Sequence, residues 1–182
     1  MLEGGAAAVQ GRAVRWWSWL FASAAVVALD QLSKWLVQQL LGVGQSISVL
    51  PVFDLVLVYN TGAAFSFLSS APGWQHELFV GIALAASALI VYLLRKHPHD
   101  RMFCFALSLI LGGAIGNLID RLALGAVVDF LLLHAMGYHW PAFNLADSAI
   151  TCGAGLLIWH SLRRPRANTS LPRRPQRRKD AK

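Results

Sequence analysis

The sequence predicts an all-α polytopic membrane protein: four transmembrane helices with a small extracytoplasmic β-sheet on the membrane surface. Three observations predict it. Of 182 residues, 56% are hydrophobic and only 14% are charged, where a soluble domain would carry about a quarter charged residues. Four apolar runs are separated by short polar connections. Two of those connections contain β-branched stretches that read as strands.

The chain divides into a small N-terminal segment (1–15), a membrane domain (16–162) and a basic tail (163–182), which is expected to be cytoplasmic and disordered. The first apolar run, Trp16 to Leu29, imitates a secretory signal: Arg12 and Arg15 precede it, and Ala22-Ser23-Ala24 resembles a cleavage site. That site falls in the middle of the run, and apolar residues continue past Asp30 to Val37, so a retained first span is predicted. Three further spans, Leu78–Leu94, Met102–Ile119 and Leu145–Leu162, hold 17 or 18 residues each. At 1.5 Å per residue these reach about 26 Å, just short of the roughly 30 Å hydrocarbon core.

The first connection is more than a loop. Ser46-Ile47-Ser48-Val49 alternates, and Val52 to Tyr59 is rich in β-branched residues, interrupted before it by Pro51. Two short strands or one edge strand are expected there, with a turn at Pro72-Gly73 before the second span. Ala126 to Leu133, in the last connection, is similarly strand-like. Cys104 and Cys152 each sit within an apolar run and read as small core residues, with no disulfide framework.

Charge sets the orientation. The net charge of +7 is concentrated in the tail, where Arg163 to Lys182 hold nine bases and one acid; the remainder sums to about −1. A basic tail after an apolar run is a cytoplasmic flank rather than a nucleic-acid surface. Arg12, Arg15, Arg95, Lys96 and Arg101 flank the other runs on the same side, so both termini are expected in the cytoplasm. The first and last connections then face the opposite side.

Ionisable groups among lipid-facing sequence are costly, and therefore candidates for function. Asp129 lies in the strand-like part of the last connection; alone, it could be a solvated loop acid. Asp147 lies just inside the fourth span, where Asn144 can cap the helix and an acid favours the helix dipole. The two are 18 residues apart and near one membrane face. Carboxyl groups sharing a site cannot easily both ionise, so one can act as base on a water while the other donates to a carbonyl. Other chemistries fit less well. His76-Glu77 does not continue into HExxH, and no Gly-x-Ser-x-Gly elbow occurs. Ser33 and Lys34 point about 100° apart on a helix. His134, His139 and Asp129 could hold a metal but lack a diagnostic spacing. A carboxylate pair remains.

The other polar groups admit two readings each. Asn117, Asp120 and Arg121 share one sector of a helix end, and Asp30 precedes Lys34 by one turn. Both sets could be ion pairs that tie helices together. Asn60-Thr61-Gly62-Ala63-Ala64-Phe65 is either a turn or a place where a substrate backbone approaches closely.

Five blocks of these residues resemble the bacterial lipoprotein signal peptidase (signal peptidase II) family, in the family's order across about residues 30–148. They are Asp30-Gln31-x-x-Lys34; Asn60-Thr61-Gly62-Ala63-Ala64-Phe65-Ser66; Gly112-Gly113-Ala114-x-Gly116-Asn117-x-x-Asp120-Arg121; Val128-Asp129-Phe130; and Phe143-Asn144-x-Ala146-Asp147-Ser148. The resemblance implies a four-span aspartic endopeptidase of the bacterial inner membrane, needing no metal or cofactor. It would cut diacylglyceryl-modified prolipoproteins before the lipidated cysteine. By the same resemblance Asp129 and Asp147 are the catalytic pair at the periplasmic face. Asn60, Asn117, Arg121 and Asn144 would bind substrate, with Asp30, Lys34 and Asp120 in support. Expected partners are prolipoproteins, membrane lipids and globomycin-type inhibitors, with no nucleic acid, and the protein is expected to be monomeric. The competing classes are a small transporter or channel subunit, whose acids would be spread across the membrane depth, and a non-catalytic assembly protein. The basic tail lies outside the matching blocks.

Overall fold

The computed structural model describes residues 15–62 and 74–163. Within them run α1 (Ser18–Leu40), β1 (Ser46–Leu50), β2 (Phe53–Asn60), α2 (Gln75–Lys96), α3 (Arg101–Leu124), β3 (Val127–Ala135), β4 (Tyr138–His139) and α4 (Leu145–Arg163). The expected Pro72-Gly73 turn, the Ala63–Ser66 half of its block, Arg12 and the tail beyond Arg163 lie outside the described residues.

Helices α1, α2 and α3 hold 23, 22 and 24 residues, hence about 33–36 Å each. Polar ends extend each apolar run by a turn or so, which removes the shortfall expected from the runs alone. All three are long and apolar enough to cross a membrane. Helix α4, with 19 residues, is long enough but diluted by Asp147, Ser148, Thr151 and His160, and does not join them on apolarity. Of the four spans expected, three therefore stand on length and composition.

Helix α3 is the axis of the bundle, touching α1, α2 and α4. Contacts fix the directions. Ser23 donates to the Ser108 carbonyl at 3.0 Å, and farther along both helices Lys34 meets Asp120 at 2.7 Å, so α1 and α3 run parallel. Gly113 faces Ala146 while Gly153 faces Ala106, so α4 runs back along α3. Ser23, in the stretch that imitates a cleavage site, is buried within α1. At one end the Arg95 guanidinium lies 4.5 Å from the Trp16 ring, and Asp100, which caps α3, pairs with His160 at 2.9 Å. The basic flanks Arg15, Arg95, Lys96, Arg101 and Arg163 therefore gather at this end.

The opposite end carries the sheet. Gly125 closes α3 in the left-handed region (φ 72°), and the chain enters β3 two residues later. The strands form an antiparallel meander in the order β1-β2-β3-β4. The register pairs Ser46 with Val56, Asp54 with Leu132 and Asn60 with Val127, with an irregularity between Leu55 and Val58. Leu57, Val128 and Phe130 pack onto Val37 and Leu41 at the end of α1. Strands near 46–49, 52–59 and 126–133 were expected; β4 and a bridge from Leu131 to Phe143 were not.

A second apolar cluster joins Ile90 and Leu94 of α2 to Cys104, Leu107 and Leu111 of α3. Cys104 is thus the core residue expected. Cys152 is not: it is exposed, on a face of α4 that lines a cavity. Its apolar run is lipid- and cavity-facing there, so apolar neighbours in sequence did not mean a protein interior.

Candidate active site

Helix α4 begins where the sequence places a cap. The Asn144 carbonyl oxygen of the side chain accepts from the Asp147 backbone N–H at 2.9 Å, satisfying one of the free donors of the first turn. Its amide nitrogen then lies 2.8 Å from Asp129 Oδ1, 3.1 Å from Asn117 Oδ1 and 3.2 Å from the Val128 carbonyl. One fully buried asparagine thereby ties β3, α3 and α4 together and touches the surroundings of both candidate acids.

Asp129 sits on β3 opposite Val58 and is 2% exposed. Its second oxygen accepts from Asn60 Nδ2, at the end of β2, at 3.0 Å. The Asn60 side-chain oxygen accepts from the Gly62 N–H at 2.9 Å, which turns the amide's donor side toward Asp129. Asp147 accepts from Asn117 Nδ2 at 2.8 Å, and the Asn117 oxygen accepts from Lys34 Nζ at 3.1 Å. Each acid is therefore held by an asparagine whose own orientation is fixed from behind. Burial pushes the Asp129 carboxyl up to about 7, reinforced by the neighbouring Asp147 and opposed by the Asn60 and Asn144 amides and by Lys34.

Behind Asn117 lies a closed ion cluster. Lys34 Nζ is 2.8 Å from Asp30 and 2.7 Å from Asp120, all three buried. Asp30 also accepts from the Ala146 N–H at 2.9 Å, and Asp120 from the Val128 N–H at 3.1 Å. Gln31 donates to Asp120 at 2.8 Å. The two acids thus tie α1 and α3 to the first turn of α4 and the start of β3. Gly116 is required by this packing, since a Cβ there would lie 2.5 Å from Asp30 Oδ2. Arg121 points elsewhere: it donates to the Gly62 carbonyl at 3.1 Å, and its guanidinium lies 5.1 Å from the Phe79 ring.

Asp129 and Asp147 open onto one cavity of about 580 Å³. Asn60, Asn117 and Arg121 join them at its polar end; Val127, Leu133, Trp140, Phe143 and Ile150 supply apolar walls. A smaller cavity of about 150 Å³, reaching Tyr59 and Thr61, shares Asn60 and Asp129 with it. The structure thus brings together the nine residues singled out in the sequence, but in two groups: Asp129, Asp147, Asn60, Asn117, Asn144 and Arg121 around the cavity, Asp30, Lys34 and Asp120 behind it. His134 pairs with Asp54 at 3.2 Å and stacks on His139, and these histidines form no metal-holding group with Asp129. Sequence reasoning missed Gln31 as a member of the cluster and the cavity wall on α4. Thr151, one turn after Asp147, was readable from i, i+4 spacing; Trp140 and Phe143 were not, because the unexpected β4 and the Phe143 bridge place them.

Three helices long and apolar enough to cross a membrane, a small antiparallel sheet and a cavity with a polar end define a multi-pass membrane protein. A family model described as signal peptidase (SPase) II matches residues 22–163. A lipoprotein signal peptidase of Paraburkholderia phymatum is 55% identical over 148 residues, spanning 81% of this chain and 89% of the relative. One from a Janthinobacterium species is 55% identical over 146 residues, spanning 80% and 88%. Two solved bacterial membrane enzyme structures superpose with TM-scores of 0.72 and 0.71, at 33% and 32% identity, covering 80% and 81% of this chain and 87% and 94% of theirs. The chain belongs to the signal peptidase II family and is a membrane protease.

Proposed function

We propose that this protein removes the signal peptide from diacylglyceryl-modified prolipoproteins, cutting before the lipidated cysteine, with Asp129 and Asp147 as the catalytic pair. The observation that carries this reading is the shared cavity: two carboxyls open onto it, each engaged by an asparagine amide, with Asn144 contacting Asp129 and capping Asp147. Asp129, with its affinity for a proton raised to about 7, is suited to be the neutral acid. Asp147 is then the base. It takes a proton from water, the resulting hydroxide attacks the scissile carbonyl, and Asp129 donates to the developing oxyanion. Collapse of the tetrahedral intermediate returns a proton to the leaving amine. Arg121, at the polar end of the cavity, is placed to hold a peptide carbonyl, and the apolar walls suit acyl chains.

The same reading assigns α4 as a fourth span: it runs antiparallel to α3, from beside Asn117 down to the α3 cap at Asp100. It puts the basic end of the bundle in the cytoplasm and the cavity at the periplasmic face of the inner membrane. Globomycin-type inhibitors would occupy the cavity, and the protein would act as a monomer. A proton-relaying transporter would need acids along the membrane depth, whereas Asp30, Asp120, Asp129 and Asp147 crowd one end of the bundle. The test uses purified protein, a lipidated prolipoprotein and the variants Asp129→Asn and Asp147→Asn. Each is expected to fold, insert and bind substrate, and to cleave nothing measurable. Full cleavage by either variant overturns the dyad.

A further inference from the structure

The far end of the sheet carries a feature that proteolysis does not use. β2 has eight residues, about 26 Å at 3.3 Å per residue. Only its inner part is supported: Leu55 and Leu57, with Val128, Phe130 and Leu131 of β3, pack on Val37 and Leu41 of α1. Phe53 pairs with Leu133, and the His134 N–H donates to the Val52 carbonyl at 3.0 Å. The β1–β2 turn and the β3–β4 turn are therefore neighbours, past the end of α1. The packing of sheet on helices is made by β2 and β3 with α1 and α3, from Leu55 and Leu131 inward, and the two turns lie beyond it.

These two turns are apolar and exposed. Met136 is fully exposed, Tyr138 83%, Leu50 56% and Val52 51%. Met136 and Gly137 both adopt left-handed backbone (φ 50° and 82°), the tight two-residue hairpin turn that pushes the Met136 side chain to the tip. No lysine, arginine or glutamate occurs between Leu50 and Asn60 or between Ala126 and Phe143. The one acid close behind the tip, Asp54, is paired with His134. Soluble hairpin tips are usually polar, and natural edges are guarded by charge. This tip has neither defence.

We propose that the paired turns form a foot that dips into the outer lipid leaflet beside the bundle, with Met136 and Leu50 below the headgroups and Tyr138 at their level. Three observations select lipid over a protein partner. The turns lie beyond the packed part of the strands at one end of a membrane bundle, whose flank is itself exposed and apolar at that end of α3 through Leu122 and Leu124. The turns offer no charge for a partner to read. Tyrosine and tryptophan, here Tyr138 and Trp140, are the residues that settle at the membrane interface. The foot would hold the sheet at a fixed height, and with it Asn60 and Asp129, whose cavity wall continues from β4 through Trp140 to Phe143. The inference rests on membrane embedding and stands whether or not the aspartate pair is catalytic.

The test is a spin label at Met136→Cys in a Cys152→Ser background, with the protein in phospholipid nanodiscs. Collision with apolar oxygen is expected to exceed collision with a water-soluble nickel chelate several-fold, while a label at His99→Cys, in the loop at the basic end, shows the reverse. Preferential access of the nickel chelate to position 136 overturns the proposal, and shielding from both reagents overturns it in favour of a protein contact. In the enzyme, Met136→Asp with Tyr138→Asp should raise KM for a membrane-borne lipidated substrate about tenfold and leave kcat unchanged. An unchanged KM would overturn the role in setting the height of the sheet.

Discussion

Two carboxylate pairs lie within one end of this bundle, and they are built in opposite ways. Asp30 and Asp120 share an ammonium, Lys34, and their remaining capacity is filled by backbone N–H groups and Gln31. Nothing is left for a ligand. Asp129 and Asp147 receive neutral amides from Asn60, Asn117 and Asn144 and open onto a cavity. A buried acid whose oxygens are filled by a fixed counter-ion and N–H groups serves as structure; one held by amides beside a cavity can meet water and substrate. Asn117 joins the two, receiving from Lys34 and giving to Asp147. The difference lies in which donors surround each acid: Asp129 is as buried as Asp30 and Asp120 yet meets no cation among the described residues.

The largest effect expected from this contrast is on turnover. Asp147→Asn and Asp129→Asn should each lower kcat about a thousandfold, the scale of losing a positioned acid or base, with no loss of thermal stability in detergent. The same exchange in the closed pair should read differently: Asp120→Asn removes a counter-ion of Lys34 and should lower the melting temperature. If Asp120→Asn abolished turnover without loss of stability, the division into structural and reactive pairs would fail.

Next in size is Lys34→Met. It leaves two carboxylates buried without their cation and should cost about 3–5 kcal/mol, seen as a large fall in melting temperature and in the amount of protein recovered from membranes. Combining it with Asp120→Asn should recover part of that loss, since one uncompensated charge is then removed. A smaller cost belongs to Gly116→Ala. The added methyl would press on Asp30, and overpacking of this kind costs about 1–3 kcal/mol. A melting curve matching the parent's would mean that the α1–α3 approach is looser than the contact implies.

The contrast between the pairs was only partly legible in the sequence. The i, i+4 spacing of Asp30 and Lys34 announced the ion pair, and Asn144 before an apolar run announced the cap. Helix spacing also put Asn117, Asp120 and Arg121 in one sector, but not that Asp120 turns to Lys34 while Arg121 reaches across to Gly62. Those choices depend on which helices are neighbours. Strand-like runs foretold the sheet; the pairing of Asp129 beside Val58, which brings Asn60 within reach, is a matter of register, and a one-residue slip would have turned the acid away. Cys152 was misread because an apolar run does not distinguish lipid from core.

The smallest effect is on pH dependence, and it bears on the open pair alone. Asp129 keeps its proton up to about pH 7, mainly because its carboxylate is desolvated. If Asp129 is the acid, activity falls as pH rises through 7, about tenfold per unit above it, because the required proton is lost. Stability moves in the same direction. The folded-state value lies above the unfolded one, so this group's contribution is fully present below about pH 4 and is lost as pH rises through about 7. Asp129→Asn removes that loss. The variant's melting temperature, set against the parent's, should therefore gain between pH 5 and pH 8. Activity constant to pH 9, or parallel melting curves across that interval, would mean that Asp129 is already ionised and would move the proton to Asp147.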